Sequence, residues 1–313
     1  MSYNLLGGIF LGWSLGANDA ANVFGTAVES RMISFMSAAL MCSGFVLLGS
    51  IFEGQAGIQT IGNLSSQTLY TATLSSVGAA ISITAMTIFR IPSSTSQAMV
   101  GSIIGIGLVA SDAEFVGLAK VVACWIGTPI GALLIAIALY LMLGKILNAW
   151  QPTIYHQDTV MRACLILSGG YGAYALGANN VANVTAVYVG AGVIDSTTAA
   201  WLGGASIALG TLTYSRPVMN TVGRKIVRLD AFSALVVVLA EAIVVHFYAW
   251  VGVPVSTSQA VVGAVIGVGL IKQATAIRGA VVLRILMGWV ATPIIAALVS
   301  MLLYFVTHLQ YVP

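Results

Sequence analysis

Charged residues are scarce in this sequence. Only 7% of the 313 residues are Asp, Glu, Lys or Arg, whereas 59% are hydrophobic. Because a soluble domain carries about 25% charged residues, this composition excludes soluble enzymes and nucleic-acid-binding proteins. A membrane-spanning helix needs about 20 apolar residues, so the length allows roughly eight to eleven membrane segments. The sequence therefore predicts an all-α, multi-pass protein of the cell membrane, embedded in the lipid bilayer.

Cysteines and clusters of basic residues are also rare. The three cysteines lie in apolar stretches without a C-x-x-C spacing, and the three histidines do not cluster. The sequence therefore predicts no disulfide framework and no transition-metal site. A net charge of +3, without a run of Lys or Arg, gives no indication of a nucleic-acid partner. The first residues lack a basic n-region and a small-residue cleavage site, which favours a first membrane span over a signal peptide.

An internal duplication is present. Residues 16–23, GANDAANV, recur at 177–184 as GANNVANV, and residues 92–108, PSSTSQAMVGSIIGIGL, recur at 254–270 as PVSTSQAVVGAVIGVGL. A third block, WIGTPIGALL from Trp125, recurs as WVATPIIAAL. The three blocks keep the same order and nearly the same offset. The sequence therefore predicts a first repeat over 1–148, a cytoplasmic linker over 149–159 and a second repeat over 160–313.

Each repeat contains five apolar segments. They are predicted at 3–28, 31–52, 72–90, 93–110 and 116–143, and again at 160–190, 193–213, 231–251, 254–270 and 278–307. Because five is an odd number, the second repeat enters the membrane from the opposite side. This is the inverted repeat of many secondary transporters.

The distribution of basic residues predicts the same orientation. The connection 215–230 carries three arginines and one lysine, whereas the equivalent connection 53–71 carries Glu53 and no basic residue. By the positive-inside rule the two connections face opposite sides of the membrane. Both chain termini are then extracellular.

The duplicated GAND and GANN motifs are candidate cation sites. Gly and Asn are weak helix formers, so both motifs are predicted to break their helices and to free backbone carbonyls, which are ligands for a hard cation such as sodium. Asp19 is the only acid in the two motifs and marks an ion path by default, although an interhelical hydrogen bond is the alternative. The predicted sodium ligands are Ala17, Asn18, Asp19, Asn22, Ala178, Asn179, Asn180 and Asn183.

The duplicated Ser-Thr-Ser-Gln motifs are candidate anion sites. Each follows a proline, Pro92 or Pro254, and is predicted to begin a helix at the tip of a re-entrant hairpin. A helix start offers free N–H donors and a partial positive charge, so two facing tips can hold a tetrahedral anion. Helix capping alone is the alternative. The predicted ligands are Ser94, Thr95, Ser96, Gln97, Ser256, Thr257, Ser258 and Gln259.

One further acid lies inside the membrane. Glu241 is midway along the 231–251 segment and has no acidic counterpart in the first repeat. An intramembrane acid is a functional candidate. A neutral carboxyl, or a pair with Arg284, fits the sequence equally well.

These motifs resemble those of the inorganic phosphate transporter family, the sodium- or proton-coupled phosphate symporters. The resemblance rests on GANDAANVFGTAV, GANNVANV, PSSTSQAMVG and PVSTSQAVVG and covers almost the whole chain. It implies an inverted-repeat fold, uptake of inorganic phosphate and a homodimer. It also implies that Asp19 serves cation coupling and that the tips at 94–97 and 256–259 hold phosphate. No cofactor is expected beyond co-transported sodium.

The sequence therefore favours a secondary transporter that imports phosphate with sodium by alternating access. The site has no obvious Lys or Arg clamp, so an anion is held much more easily if a cation binds with it, which favours cation-coupled symport as a hypothesis. The alternative is a proton-coupled phosphate or sulfate permease, because Asp19 can itself carry a proton. An intramembrane hydrolase would need a base beside Ser-Thr-Ser, and no His or Lys recurs there, so no enzyme is predicted. An anion channel would lack saturable, gradient-coupled flux.

Overall fold

A computed structural model describes residues 4–29, 31–64, 66–88, 93–110, 117–151, 153–225, 229–272 and 279–309. Helices make up almost all of this part of the chain, and it contains no strand, which confirms the all-α class. The helices are α1 Leu6–Glu29, α2 Phe35–Glu53, α3 Gln55–Gly62, α4 Leu69–Ile88, α5 Thr95–Ala110, α6 Leu118–Trp150, α7 Ile154–Gly190, α8 Ser196–Lys225, α9 Ala231–Val251, α10 Thr257–Ile271 and α11 Gly279–Leu309.

Each of the ten predicted segments corresponds to one helix, and α3 is an addition. Five helices are long and apolar enough to cross a membrane, namely α2, α4, α6, α9 and α11, and α5 and α10 are shorter apolar helices. The predicted linker 149–159 is mostly helical, because α6 extends to Trp150 and α7 begins at Ile154. With 37 residues, α7 is about 55 Å long at 1.5 Å per residue. It therefore extends well beyond a hydrocarbon core of about 30 Å.

Helix α7 is the centre of the bundle. It packs against α1, α2, α3, α8 and α9, with smaller contacts to α4 and α5. Its side chains Leu176, Val184 and Tyr188 are at most 1% exposed. The GANN motif therefore lies in the interior of the bundle, whereas α6 and α11 expose most of their apolar surface.

Helices of the two repeats interlock through glycines. A Cβ atom on Gly16 would lie 1.9 Å from the carbonyl oxygen of Ile207, and one on Gly177 would lie 2.0 Å from that of Val46. The two contacts are equivalent, because each residue of the second pair lies 161 positions from its counterpart. Only glycine allows this close approach of α1 to α8 and of α7 to α2.

The same reciprocity joins the shorter helices to the last helix of the other repeat. A Cβ atom on Gly101 would lie 2.2 Å from the Pro293 carbonyl oxygen, and one on Gly263 would lie 2.2 Å from that of Pro129. Helix α5 thus packs on α11, and α10 packs on α6. The halves are interleaved and do not form two separate lobes.

The predicted helix breaks at 16–19 and 177–180 are wrong. Helix α1 is continuous from Leu6 to Glu29, and α7 is continuous from Ile154 to Gly190. Tertiary packing overrides the low helix propensity of these residues, because Gly16 and Gly177 provide contact surfaces. No break therefore frees the carbonyls of Ala17 and Ala178, and the physical reason for counting these two residues as sodium ligands is removed.

Candidate substrate and cation site

The two Ser-Thr-Ser-Gln motifs begin helices, as the sequence predicts. Helix α10 starts at Thr257, and its N-cap Ser256 accepts a hydrogen bond from the Gln259 N–H over 3.3 Å. Helix α5 starts at Thr95, and Ser94 accepts one from the Gln97 N–H over 3.4 Å. One hydroxyl of each motif therefore caps its own helix. Pro92 lies outside the described residues.

The two helix starts lie against each other. The Ser96 hydroxyl donates to the Val255 carbonyl over 3.0 Å, and the Ser258 hydroxyl donates to the Ser93 carbonyl over 3.5 Å. These contacts are again equivalent, at an offset of 162. The structure thus brings the two predicted anion-binding motifs together, and all their residues except Ser258 are buried.

A narrow polar pocket lies between these helix starts. It is too narrow for a water molecule. The lining residues come from α1, α7 and the two helix starts with the residues just before them, and they are Asp19, Ser93, Ser94, Thr95, Ser96, Asn180, Ser256, Thr257 and Ser258. Asp19 is therefore the one acid among the lining residues, and the other lining side chains carry hydroxyl groups or, in Asn180, an amide.

Asp19 is held by neutral donors. Its carboxylate accepts hydrogen bonds from the Thr257 hydroxyl over 3.3 Å and from the Asn18 amide over 3.1 Å. Asn22 donates to the Thr257 hydroxyl over 3.3 Å. Asp19 is 6% exposed, and its carboxylate forms no ion pair within the described part of the chain. An ionised carboxylate in this position requires a cation.

Asn180 occupies the position of Asp19 in the second repeat. Its Oδ1 accepts from the Asn179 amide over 3.2 Å and from the Asn183 amide over 2.9 Å. The Asn183 amide also donates to the Ser96 hydroxyl over 2.9 Å. Because Oδ1 takes two donors, Nδ2 is the remaining atom, and it is buried without a partner. The second repeat thus presents an N–H donor to the pocket where the first presents a carboxylate.

Asn179 holds the chain that leads into α10. Its Nδ2 donates to the Val255 carbonyl over 2.8 Å, and its Oδ1 accepts from the Val255 N–H over 2.9 Å. Both amide atoms are thus used by one buried backbone unit. Asn179 therefore positions the segment before Thr257.

The two glutamines after the serines are also equivalent. Gln97 and Gln259 are 5% and 2% exposed, and each has a buried Oε1 without a hydrogen-bond partner. A carbonyl oxygen repels an anion and is a ligand for a hard cation. The free atoms of these side chains are thus suited to a cation and not to phosphate.

Sequence reasoning missed a polar cluster at the end of α2. The Glu53 carboxylate accepts from the Tyr174 hydroxyl over 2.9 Å and from the Trp250 indole over 2.8 Å, and it lies 2.5 Å from His246 Nε2. The Tyr171 hydroxyl is 2.9 Å from His246 Nδ1. These residues lie in helices far apart in the chain and have no repeated counterpart, so no sequence signal links them.

The fold and the site together define an integral membrane transport protein. Long apolar helices surround a buried polar site at the meeting point of two helix starts. The chain belongs to the phosphate transporter family, whose sequence model matches residues 15–300. This confirms the resemblance read from the motifs, and the protein is accordingly a transporter and not an enzyme.

Similar proteins cover almost the whole chain. A protein of Methanocaldococcus jannaschii assigned as a phosphate permease is 30% identical over 303 residues, covering 97% of this chain and 96% of its own. The sulfate permease CysP of Bacillus subtilis is 30% identical over 309 residues, covering 96% of this chain and 86% of its own. The solved structure of a sodium-dependent phosphate transporter covers 98% of both chains with a TM-score of 0.83 at 24% identity, so the fold is shared.

Proposed function

We propose that this protein imports inorganic phosphate together with sodium, by alternating access of two inverted repeats. One observation carries the proposal. The buried Asp19 carboxylate, which has no ion pair in the described part of the chain, hydrogen-bonds to Thr257 at a helix start that faces a second helix start. This arrangement supports a cation site next to an anion site.

The anion is held by donors. The helix starts at Thr95 and Thr257 provide N–H groups and the positive ends of two helix dipoles, and the Asn180 amide adds a donor without another partner. Among the residues that the structure describes, no Lys or Arg lines the pocket. Because neutral donors compensate a phosphate charge only in part, a bound cation has to supply the rest.

The cation is held by oxygen ligands. We assign this role to Asp19, with Asn18 and Asn22 beside it and with the free Oε1 atoms of Gln97 and Gln259 as further candidates. Carboxylate, amide and hydroxyl oxygens are the ligands that hard cations prefer. This set favours sodium over a proton, because a proton needs only one oxygen.

The pocket is too narrow for phosphate, so the two helix starts have to move apart during transport. The Ser96 to Val255 and Ser258 to Ser93 hydrogen bonds join the two helix starts directly. A tetrahedral anion can enter only if these contacts open. We propose that the repeats rock about this point, in a homodimer with both termini outside the cell.

Liposome uptake by the purified protein tests the proposal. Radiolabelled phosphate should accumulate when an inward sodium gradient is imposed and should not accumulate with potassium in place of sodium. Accumulation driven equally well by a proton gradient without sodium would contradict sodium coupling. The similarity to a sulfate permease makes sulfate the alternative substrate, and phosphate uptake that is abolished by an equal concentration of sulfate would support it.

A further inference from the structure

We propose that Glu241 is a second cation-binding carboxyl of this transporter, which binds a proton and releases it when sodium occupies the site at Asp19. The release step rests on the sodium site of the proposed function. The position of Glu241 itself is independent of it.

Glu241 is buried in an apolar environment. It lies in the middle of α9, is 2% exposed, and its Oε2 has no hydrogen-bond partner. Its neighbours one turn away on α9, Val237, Val238, Val244 and Val245, are at most 3% exposed. An ionised carboxylate in such surroundings is unfavourable by several kcal/mol unless a cation compensates it.

The described acid that interacts with Glu241 is Asp19. It lies on α1, which packs on α9, and is close enough to act on Glu241 electrostatically, but no hydrogen bond is described between the two carboxyl groups. Of the helices that pack on α9, the described parts of α3 and α10 carry no titratable side chain. The side chain of Arg284, the alternative partner of Glu241, lies outside the part of the chain that the structure describes, and its helix α11 packs mainly on α4 and α5.

The basic side chains described on α9 and its neighbours are engaged or exposed elsewhere. His246, Tyr171 and Tyr174 belong to the Glu53 cluster. Lys120 donates to the Val251 carbonyl, Lys272 pairs with Asp230, and Lys145 and Arg162 are exposed. The remaining titratable side chains are Tyr248 on α9 and, on α6 and α7, Cys124, Tyr140, Tyr155, His156, Asp158, Cys164 and Tyr188.

The chemistry of this position favours a proton over a metal cation. Sodium needs several oxygen ligands, and no oxygen donor or acceptor is described within hydrogen-bond distance of Glu241 Oε2. A proton neutralises a carboxylate without further ligands. Two interacting carboxyls do not both ionise easily, so an ionised Asp19 favours a protonated Glu241.

Sodium at Asp19 cancels part of this repulsion. The O–H bond of Glu241 then breaks more readily, and its proton passes to water on the side to which the site is open. Sodium and proton binding are therefore antagonistic. In terms of linkage, sodium lowers the affinity of Glu241 for a proton, and a proton on Glu241 lowers the affinity of Asp19 for sodium by the same factor.

Proton release on sodium addition tests the inference. Purified protein in weakly buffered detergent, with a pH-indicator dye, should release up to one proton per chain when sodium chloride is added and none with choline chloride. Glu241→Gln should abolish the release. Glu53→Gln, which alters a carboxyl in a separate cluster, should leave it unchanged. Absence of release from the wild type, or equal release from Glu241→Gln, would overturn the inference.

A second measurement needs no variant. The infrared absorption of protonated carboxyl groups in the wild type, measured near neutral pH, should decrease when sodium is added, and an unchanged absorption would contradict the coupling. Sodium-driven phosphate uptake is recorded on the same preparation. Uptake without proton release would leave the proposed function intact and reject only the role of Glu241, whereas absence of sodium-driven uptake would reject the proposed function.

Discussion

The Thr257 hydroxyl, at the first residue of α10, donates a hydrogen bond to the carboxylate of Asp19 in the middle of α1 over 3.3 Å. The two residues are 238 positions apart and belong to different repeats. This bond connects the acid that we assign to the cation with the helix start that we assign to the anion. We therefore expect that ligand binding at one proposed site changes the affinity of the other.

Asp19→Asn should abolish sodium coupling. The substitution keeps the size of the side chain and removes its charge, so the cation loses its only anionic ligand among the pocket residues. We expect sodium-driven phosphate uptake into liposomes to fall to the level of protein-free liposomes, with an unchanged elution volume in size-exclusion chromatography. Wild-type uptake that still depends on sodium would remove Asp19 from the mechanism.

Thr257→Val should weaken sodium binding. Valine has the shape of threonine but cannot donate to Asp19, and a hydrogen bond to a charged group contributes about 1.5–3 kcal/mol. We expect the sodium concentration for half-maximal uptake to rise roughly 10- to 100-fold. Thr95→Val, the equivalent change in the first repeat, should weaken phosphate binding and leave the sodium dependence unchanged. Equal sodium effects of both variants would argue against the Thr257 to Asp19 link.

Asn179→Ala should destabilise the protein. It leaves the N–H group of Val255 buried without a partner, at about 1–3 kcal/mol, and it leaves the Val255 C=O group with only the hydrogen bond from Ser96. Asn18→Ala is the matched control, because the one hydrogen bond described for the Asn18 side chain is to Asp19. Thermal unfolding in detergent should show a clearly larger decrease for Asn179→Ala. Similar decreases for both would mean that Val255 does not depend on Asn179.

Gly16→Ala and Gly177→Ala should each separate a pair of helices. The added methyl group would overlap the carbonyl of Ile207 or Val46, and overpacking of this kind costs about 1–3 kcal/mol, or more where backbone must move. Gly44→Ala serves as the control, because its Cβ would meet no atom within 4 Å. Gly44 is exposed on its helix, so Gly44→Ala should leave the free energy of unfolding unchanged or raise it by up to about 1 kcal/mol. The readout is the unfolding temperature in detergent.

The ion pair between Asp230 and Lys272 predicts a pH dependence of stability. Burial of Asp230 opposes its ionisation, but hydrogen bonds from Lys272 and Ser233 outweigh this effect and lower the pKa of Asp230. The hydrogen bond to Asp230 raises the pKa of Lys272. The ion pair therefore contributes fully to the free energy of unfolding between about pH 4 and about pH 10, which are the ordinary pKa values of the two groups. It is lost as the pH falls through the lowered pKa of Asp230 or rises through the raised pKa of Lys272.

Two variants separate the pair from the helix cap. Asp230 is also the N-cap of α9 and accepts from the Ser233 N–H over 2.8 Å. Asp230→Asn keeps a capping residue and should lose only the small contribution of an exposed pair, about 0.2–1 kcal/mol. Asp230→Ala should lose about 1 kcal/mol more. Identical unfolding temperatures for the two variants at neutral pH would contradict the capping role.

The helix starts of the site were predictable because their sequence motif occurs in both repeats. The repeated Ser-Thr-Ser-Gln after proline predicts two equivalent helix starts, and the structure places them in contact through Ser96 and Ser258. The positions of the ten predicted segments follow from apolar composition alone. Helix α3 does not, because its eight residues are partly polar and are stabilised by packing on α7.

Other features depend on tertiary contacts that no local pattern encodes. Gly16 and Gly177 suggest breaks by propensity, but the carbonyls that they face lie 191 and 131 positions away, so their packing role is invisible in the sequence. The roles of Asn179 and Asn180 differ although the residues are adjacent and chemically identical. The Asn179 side chain hydrogen-bonds to the N–H and C=O groups of Val255, whereas the Asn180 Nδ2 atom has no hydrogen-bond partner.

The glycine contacts between α1 and α8 and between α7 and α2 also bear on biosynthesis. The ribosome delivers the first repeat to the membrane before α7 and α8 exist, so α1 and α2 enter the bilayer without the helices against which they pack. Their packing has to wait for synthesis of the second half. A truncated chain that ends after α6 should therefore be inserted but remain a substrate for membrane proteases until the missing helices are supplied in trans.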